Sequence, residues 1–579
     1  MNARRFLALA SVTAVLVATG CGGGSSTGGG DGTDGGGVKK GGILTVGTTN
    51  YIDTLNPFNY IEAQGYNAMM MIYPQLIQYK LSAEDPNVLE FEGDWADTWE
   101  TSPDGKDWTF KLKPDTTWSD GKPMTAEDAA WTINTTVKYA DTFTAVAAAS
   151  LAHVKSAEAT DPTTLVIHYE QPVGNVLPQL ETFFILPQHI WKPLVGSDGK
   201  GLKTAHPEQN LDSLVSGGAF TIEKWEKKGT TVFKPAPNYY GPPANAEAVA
   251  LVFYTNADSM ISDLRQGAIQ WVDQVPFEAI DVVKKDASIQ VNEVPGAETT
   301  NITWNSNPNK PKNRELLDPE VKKALSMCID RDKMIEVVFN GYASKVESIV
   351  GHIAGDMENP NLGPLEYNCD AANQKLDELG YTRGTDGIRM APATTGQYAQ
   401  EAHPMRYEIM QPTSLDFNGE RMFDIVKEGW DQLGVDVSLK IGGDAAAAYE
   451  IEVGGYDRCD ASKLIGYDRF DIAMWDWVGY IDPDFQLSVV TVGQWCSWSD
   501  TGWVNEEYDK LYQKQGTTID QEARKQIAYE MQQIVYDNVL YTQLTNHVSV
   551  DAHSKKWDGI EPLLNGYSKA YYAGPHQVG

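Results

Sequence analysis

Aromatic rings and carboxylates alternate in the segment 474–485, which reads MWDWVGYIDPDF. The rings of Trp475, Trp477 and Tyr480 offer apolar faces on which a ligand can stack. The carboxylates of Asp476 and Asp482 suit either binding of an ammonium group or general acid–base chemistry. A predicted strand over 470–478 places both indoles on one face, because side chains alternate with period two. We expect at least one indole to reach a ligand; packing of both in the core is the alternative.

Two nearby acids also suit a glycosidase, for which Asp476 and Asp482 are the candidate pair. Such enzymes hold two carboxyl groups about 5 Å or about 6.5–9.5 Å apart, a separation that a sequence does not provide. The chain contains no G-x-S-x-G, H-E-x-x-H or P-loop motif. The absence of these motifs favours a protein that is not an enzyme and has no cofactor.

The net charge of the chain indicates which classes of binding partner are disfavoured. The chain carries 46 Lys+Arg against 79 Asp+Glu, a formal net charge of −33. Such an excess of negative charge disfavours binding to nucleic acid or to anionic lipid. About 540 residues follow the N-terminal segment, too many for one core, so two large lobes are expected.

The N-terminal segment predicts export. Arg4 and Arg5 precede an apolar run over 6–17 that is too short to span a bilayer. Small residues then lead to Cys21, which resembles the lipid-modified cysteine of a bacterial lipoprotein; an ordinary secretory signal is the alternative. We predict a signal peptide over 1–20 and, over 21–41, a Gly/Ser-rich tether with an r.m.s. span of about 25 Å.

Four further cysteines suit an exported protein, in which disulfides persist. They allow three pairings, and the sequence-local choice is Cys328–Cys369 with Cys459–Cys496. Reduced, buried thiols are the alternative for either pair. No pair has C-x-x-C spacing and the nine histidines form no cluster, so we predict no metal site.

Strand and helix signals alternate along the chain. A strand over 246–254 precedes a helix that starts at Asn256 and ends at Gly267, and a strand over 268–272 follows. The elements predicted later are a helix from Asp318 to Gly341, a helix over 422–433, strands over 435–441 and 470–478, a helix over 521–539 and a strand over 540–550. This βαβ order predicts an α/β fold with a mostly parallel sheet.

A longer phrase over 99–131, WETSPDGKDWTFKLKPDTTWSDGKPMTAEDAAW, contains two Asp-Gly turns followed by a helix start at Thr125. This phrase resembles a signature of family 5 extracytoplasmic solute-binding proteins, the peptide and nickel type of ABC-transporter receptor. Further phrases, including ILPQH over 185–189 and the Asp-Pro-Asp of 482–484, are similar to that family in the same order. In the family the signature is part of the scaffold and contacts no ligand.

The resemblance implies a two-lobed periplasmic-binding-protein-like fold of type 2, cluster C. Lobe I is expected over 42–305 plus 540–579, with an inserted subdomain over about 77–210. Lobe II is expected over 306–539. The chain would cross between the lobes near Asn305 and near Gln543.

The resemblance also implies ligand-binding positions in the cleft between the lobes. In the peptide-binding branch, an acid four residues before the Pro of the Asp-Pro phrase binds the peptide's α-ammonium group. That position is Gly479 here, so Asp476 or Asp482 would have to replace the acid. The other expected ligand-binding residues are Tyr60, Glu62, Trp304, Asn305, Trp475, Trp477, Tyr480 and Gln543.

The resemblance implies a lipid-anchored, extracytoplasmic, monomeric receptor that delivers its ligand to ABC permease subunits in the membrane. An oligopeptide or a peptide-like solute is the first expectation for the ligand. An oligosaccharide stacked on tryptophan rings is the second, and a nickel chelate has little support because no histidines cluster.

Overall fold

The computed structural model describes residues 41–60, 62–81, 89–451, 454–455, 459–560 and 574–578. The predicted signal peptide, Cys21 and the tether up to residue 40 lie outside the described residues. All described residues belong to one compact unit, so the division into two lobes at 305/306 and 539/540 stays a prediction.

The strands of the described residues are, in chain order, β1 Ile43–Thr48, β2 Ile77–Leu81, β3 Leu89–Gly93, β4 Ala96–Thr101, β5 Asp107–Leu112, β6 Val154–Asp161, β7 Thr164–Tyr169, β8 Phe220–Lys224, β9 Thr230–Pro235, β10 Ala248–Phe253, β11 Trp271–Val272, β12 Ile289–Trp304, β13 Ala343–Ser344, β14 Thr382–Arg383, β15 Arg389–Ala391, β16 His403–Pro404, β17 Arg406–Pro412, β18 Asp436–Gly442, β19 Ile472–Val478, β20 Tyr541–Ser554, β21 Trp557–Asp558 and β22 His576–Gln577.

The α-helices of the same residues are α1 Ala63–Ile72, α2 Ala126–Lys138, α3 Ala145–Ala148, α4 Val176–Glu181, α5 Gln188–Trp191, α6 Lys200–Thr204, α7 Ala257–Gln266, α8 Phe277–Lys284, α9 Pro319–Ser326, α10 Arg331–Phe339, α11 Cys369–Glu378, α12 Asp416–Leu433, α13 Asp444–Ile451, α14 Asp484–Ser488, α15 Glu506–Thr517 and α16 Gln521–Asp537.

One large mixed sheet runs through the molecule in the order β18–β17–β19–β12–β20–β11–β1–β10–β9–β8, with β13 paired to β20. Strand β1 is parallel to β10 and β11, and β17 is parallel to β18 and β19. The other ladders of this sheet are antiparallel. The expectation of a mostly parallel sheet is wrong, because a hairpin and the long pair β12–β20 add antiparallel ladders to the βαβ units.

Strands β12 and β20 join the early strands of the sheet to the late ones. Residues 298–304 of β12 also pair with β19, whereas residues 552–553 of β20 pair with β11. The β12–β20 register shifts between Pro295 and Thr299, and again between Thr300 and Asn301. Such irregularities locally disrupt the ladder and increase the twist of a strand pair.

The signature phrase contributes β5, part of β4 and the start of α2 to a subdomain whose separate four-stranded sheet has the order β4–β5–β7–β6, with α2 packed against it. Both Asp-Gly turns form as predicted: Gly105 and Gly121 have φ of 69° and 82°, which glycine adopts at little steric cost. The capping box of α2 is also present, with the Thr125 N–H donating to Asp128 Oδ2 at 3.0 Å. The buried Trp95, Trp108 and Trp118 form part of this subdomain's core.

Several predicted helices and strands are confirmed within a few residues. Helix α7 has Asn256 as its N-cap and Gly267 as its C-cap, as expected. The single helix predicted from Asp318 to Gly341 is wrong, because the chain forms α9 and α10 with a break between them. Asp330 favours the start of a second helix there, because its side chain caps the N-terminus of α10 by accepting a hydrogen bond from the Lys333 N–H at 2.9 Å.

Both predicted disulfides are confirmed. The Cα atoms of Cys328 and Cys369 are 4.5 Å apart, and those of Cys459 and Cys496 are 5.7 Å apart. The second bridge encloses β19 and the aromatic segment that follows it.

Candidate ligand-binding site

A cavity of about 410 Å³ is walled by segments that are far apart in the chain. The lining residues are Tyr79, Phe91 and Pro178 from the first third of the chain, 353–357, Ile481 and Asp482, and Gln521, Glu522, Arg524 and Lys525 from α16. Apolar surface with a few convergent polar groups is typical of small-molecule sites.

The charged groups of this cavity pair with one another, three carboxylates with two cations. Arg524 makes a bidentate ion pair with Asp482, at 2.5 Å and 2.7 Å, and the Arg524 side chain is almost fully buried. Lys525 contacts Glu522 at 2.6 Å and Asp356 at 3.3 Å. Asp482 lines the cavity with its carboxylate paired to Arg524, and its expected role in ligand binding stays a prediction.

Gly479 lies where a side chain does not fit. Its N–H donates to Ala297 O at 2.6 Å. A Cβ atom at this position would lie 2.8 Å from Ile353 Cγ2, closer than such contacts occur, and 3.0 Å from Ala297 O, which is tighter than most. Ile353 itself lines the cavity. The missing acid is thus a feature of the packing as well as of the sequence.

Three aromatic side chains form an exposed ridge beside the cavity, which we call the aromatic ridge: Tyr480, Phe485 and Trp498. The Phe485 ring centroid is 5.7 Å from that of Tyr480 and 5.6 Å from that of Trp498, both in edge-on geometry. Tyr480 is 51% exposed and Trp498 is 47% exposed. Large exposed rings of this kind are typical of binding surfaces.

Tyr60 lies within electrostatic reach of the ridge. Burial raises the pKa of Tyr60 to about 12, and the neighbouring Tyr480 adds to that rise. The Tyr60 ring also packs on Tyr66 at 5.8 Å, and Tyr66 packs on Phe184 at 5.2 Å. A second group of rings therefore stands near the ridge.

Trp475 and Trp477 lie on one face of β19 and belong to the hydrophobic core that covers this face. They are 9% and 6% exposed, and Trp477 Nε1 donates to Asp500 Oδ2 at 3.0 Å. Asp500 is fully buried, and this burial raises its pKa to about 6. The expectation that one of these indoles is exposed in a cleft is wrong, because their face of β19 is covered by the core around Tyr508 and Tyr541.

Asp476 faces away from the two indoles and lies in a cluster with Glu298 and His547. Burial and the charge of Glu298 raise the pKa of Asp476 to about 7. Glu298 Oε2 lies 3.2 Å from His547 Nδ1, and His547 Nε2 lies 3.1 Å from Thr300 Oγ1. The cluster adjoins the register shift of β12 and is separate from the residues that line the 410 Å³ cavity.

Comparison with known proteins identifies the family. A family model described as "Bacterial extracellular solute-binding proteins, family 5 Middle" matches residues 90–495. The chain belongs to this family.

Individual relatives agree with that assignment. The "Probable D,D-dipeptide-binding periplasmic protein DdpA" of Escherichia coli (strain K12) is 24% identical over 511 residues, which cover 87% of this chain and 88% of DdpA. The structure of DppA from Helicobacter pylori in complex with peptide STSA has a TM-score of 0.70 and 19% identity, and it covers 93% of this chain and 99% of DppA. NikZ from Campylobacter jejuni in complex with Ni(L-His) has a TM-score of 0.71 and 17% identity over 92% of this chain and 99% of NikZ.

These likenesses confirm the α/β periplasmic-binding-protein fold of this family 5 solute-binding protein. In the described residues no helix has the length and apolar character needed to cross a bilayer. The same residues include no group of three or more His, Cys, Asp or Glu side chains placed to hold a metal ion.

Two further expected binding residues, Trp304 and Asn305, are part of the interior of the family 5 protein. Trp304 is fully buried, stacks on Trp430 with centroids 5.9 Å apart, and donates to Thr542 Oγ1 at 2.9 Å. Asn305 donates to the carbonyl oxygens of Tyr467 and Phe470 at 2.5 Å and 2.6 Å. Both residues stabilise the packing, and neither lines the 410 Å³ cavity.

Gln543 also lies apart from the 410 Å³ cavity. It lines a different cavity of about 280 Å³, together with Tyr541 and Thr542. Its Oε1 is buried and accepts no hydrogen bond from the described residues.

Glu62 lies in the loop before α1 and is partly exposed. It accepts a hydrogen bond from the Tyr51 hydroxyl, and this hydrogen bond raises the pKa of Tyr51. Phe485, Trp498, Ile353 and Arg524 were missed as candidate site residues. Of these, only Phe485 lay in the segment that the sequence singled out, and the others are brought in by tertiary contacts.

Proposed function

We propose that this family 5 protein is an extracytoplasmic receptor of an ABC importer that captures oligopeptides or peptide-like solutes. The single observation that carries the proposal is the cavity walled by Tyr79 and Phe91 on one side and by Ile353, Ile481 and Arg524 on the other. Family membership and the names of its relatives, DdpA and DppA with its bound peptide, support the same ligand class.

The ligand is held without an acid that binds a free α-ammonium group. Gly479 leaves no room for a side chain, and the Asp482 carboxylate is already paired with Arg524. Affinity then depends on apolar and aromatic contacts at the aromatic ridge and on hydrogen bonds along the cavity wall. A peptide whose N-terminus is blocked, or a solute without one, fits this arrangement best.

Capture takes place by closure of two lobes around the ligand. The Gly174 N–H donates to Gly516 O at 2.8 Å, and Gln521 Nε2 donates to Gly174 O at 2.9 Å. These bonds join the subdomain around the signature phrase to the end of α15 and the start of α16, where Gln521 lines the cavity. We place the hinge at the register shifts of β12 between Pro295 and Asn301. Strands β12 and β20 lie between β19, β17 and β18 on one side of the sheet and β11, β1 and β10 on the other.

The receptor is anchored to the outer face of the cell membrane through a lipid on Cys21 and acts there as a monomer. The 21–41 tether keeps it near its permease and leaves it free to rotate. Mass spectrometry of the mature N-terminus tests the anchor: a diacylated Cys21 supports it, and an unmodified N-terminus generated by cleavage elsewhere contradicts it.

The ligand class is tested by native mass spectrometry of protein produced in a complex medium, followed by calorimetry with the released ligand. We expect co-purified peptides, and we expect Tyr480→Ala and Trp498→Ala each to weaken binding roughly two- to tenfold, the value of one aromatic contact. The control is Tyr367→Ala, which removes an equally exposed tyrosine outside the aromatic ridge. Equal affinity in all three variants would contradict a binding role of the ridge.

An oligosaccharide is the second candidate ligand. The exposed rings of Tyr480 and Trp498 favour it, because aromatic faces stack on sugar rings as well as on peptide side chains. A ladder of hexose masses in the same experiment would replace the peptide proposal with this one.

A further inference from the structure

A second cavity, of about 290 Å³, shares no lining residue with the ligand cavity. It is bounded by residues that include Ser306, Lys322, Tyr398, Trp503, Asn505 and Asn538. Lys322 lies on α9, and Trp503 and Asn505 lie just before α15.

The Lys322 side chain is buried in the wall of this second cavity, where its ammonium group contacts a hydroxyl group. The residue is only 1% exposed, and its Nζ donates to Ser306 Oγ at 3.4 Å. Ser306 Oγ in turn donates to Trp304 O at 3.0 Å, so the hydroxyl is fixed as an acceptor for the ammonium group. Among the residues that the structure describes, no carboxylate oxygen lies within 4.0 Å of Lys322 Nζ.

A second buried lysine, Lys310, differs from Lys322 in having a carboxylate partner. Lys310 is equally buried, but it forms an ion pair with Asp471 at 3.1 Å. Asp471 also contacts Lys312 at 3.3 Å, so this buried carboxylate already pairs with two other lysines. The charge of Asp318 raises the pKa of Lys322, but by less than burial and Lys310 lower it.

An unpaired buried ammonium group is costly, because it loses its hydration and gains little in return. Burial, with the like charge of Lys310, lowers the pKa of Lys322 to about 7. Near neutral pH a bound anion would both keep the amine protonated and accept its remaining hydrogen bonds.

We propose that the second cavity binds a small organic carboxylate through Lys322. One ammonium group matches one negative charge, and the indole and phenol rings of Trp503 and Tyr398 provide apolar surface for the rest of such a molecule. The site is distinct from the transport ligand's cavity, and its occupancy can be measured with that cavity empty.

Propionate is the probe, and sodium chloride at equal ionic strength is the reference. On the full chain, we expect propionate to raise the thermal midpoint and to bind in calorimetry. Lys322→Met should weaken that binding tenfold or more, since a charge-assisted hydrogen bond is lost. Lys323→Met, which removes the exposed lysine next to it, should leave propionate binding unchanged.

The proposal is overturned if propionate acts no differently from chloride, or if it acts equally on the wild type and on Lys322→Met. Inorganic phosphate forms a third arm, and a response to phosphate alone would contradict the carboxylate assignment. Should Lys322→Met not fold, crystals of the wild type soaked in 3-bromopropionate decide the question. An anomalous bromine peak beside Lys322 Nζ supports the site, and a peak only elsewhere overturns it.

Discussion

At the scale of single residues, neighbours in one short segment have opposite environments. Trp475 and Trp477 project into the core, Asp476 lies on the opposite face, and Tyr480 is half exposed. Strand β19 ends at Val478, so the chain leaves the sheet just before Tyr480 and the two-residue alternation no longer applies. The proposed ligand surface therefore begins where the strand ends.

Replacing Trp477 by alanine should destabilise the fold by about 3–5 kcal/mol, because a large buried ring is lost and Asp500 loses a donor. Urea unfolding of the ligand-free protein measures this. The matched control is Trp498→Ala, whose exposed ring should cost less than about 0.5 kcal/mol. Similar unfolding midpoints for both variants would show that Trp477 is not a core residue.

Asp476→Asn should stabilise the protein more at pH 8 than at pH 4.5. The pKa of Asp476 is raised from 3.8 to about 7 in the folded protein, so the folded state holds this proton more tightly than the unfolded chain does. The resulting stability is complete below pH 4 and is lost as the pH rises to about 7. An asparagine does not ionise and avoids this loss, which we place at about 1–3 kcal/mol because Glu298 and His547 titrate with Asp476.

Thermal midpoints of the variant and the wild type across pH 4.5–8 test this prediction. Asp97→Asn, an exposed aspartate on strand β4, is the control and should shift the midpoint little at any pH. A constant difference between Asp476→Asn and the wild type at all pH values would contradict the raised pKa.

At the scale of elements, α16 fixes the segment that follows β19. Arg524 of α16 holds Asp482 bidentately and also donates to Gln515 Oε1 at 2.9 Å, which ties α15 to the same point. The position of the aromatic ridge therefore depends on two helices that follow it in the chain.

Arg524→Met should destabilise the fold by about 3–5 kcal/mol, because Asp482 would remain as a buried charge beside Asp484. The double variant Arg524→Met/Asp482→Asn should recover part of that loss. Lys525→Met is the control: its pair with Glu522 is largely exposed and should contribute less than about 1 kcal/mol. Strictly additive single and double variants in denaturant unfolding would contradict the coupling.

At the scale of the whole molecule, the proposed closure depends on strands β12 and β20 and on the contact around Gly174. Strands β12 and β20 join the two groups of strands, and the bonds between Gly174, Gly516 and Gln521 connect the subdomain to the later helices. A ligand favours the closed form only through the additional contacts that closure provides.

Gly174→Val should oppose closure. A Cβ at Gly174 would lie 2.4 Å from Thr518 O and 2.9 Å from Gln515 O, both backbone atoms that yield little. Overpacking of this kind costs about 1–3 kcal/mol, which corresponds to roughly 5- to 100-fold weaker ligand binding. Small-angle scattering with saturating ligand should show a larger radius of gyration than for the wild type.

Gly516→Ala is the matched control, because a Cβ there meets no atom within 4 Å although the residue lies in the same contact. It should bind ligand with wild-type affinity. Wild-type affinity and compaction in Gly174→Val would contradict the proposed closure contact.

The sequence by itself determined what local chemistry and recurring phrases specify. The Asp-Gly turns, the capping box and helix α7 follow from short-range rules. The disulfides were the pairing of cysteines nearest in the chain, and the ordered phrases identified the family. Only the tertiary structure shows which face of β19 is buried and that Arg524 pairs with Asp482. It also brings Trp498 to Tyr480 on the aromatic ridge, and it buries Lys322 without a carboxylate partner among the described residues. The physical reason is that burial and ion pairing depend on elements that meet in space from distant parts of the chain, whereas turns and caps depend on neighbours within a few residues.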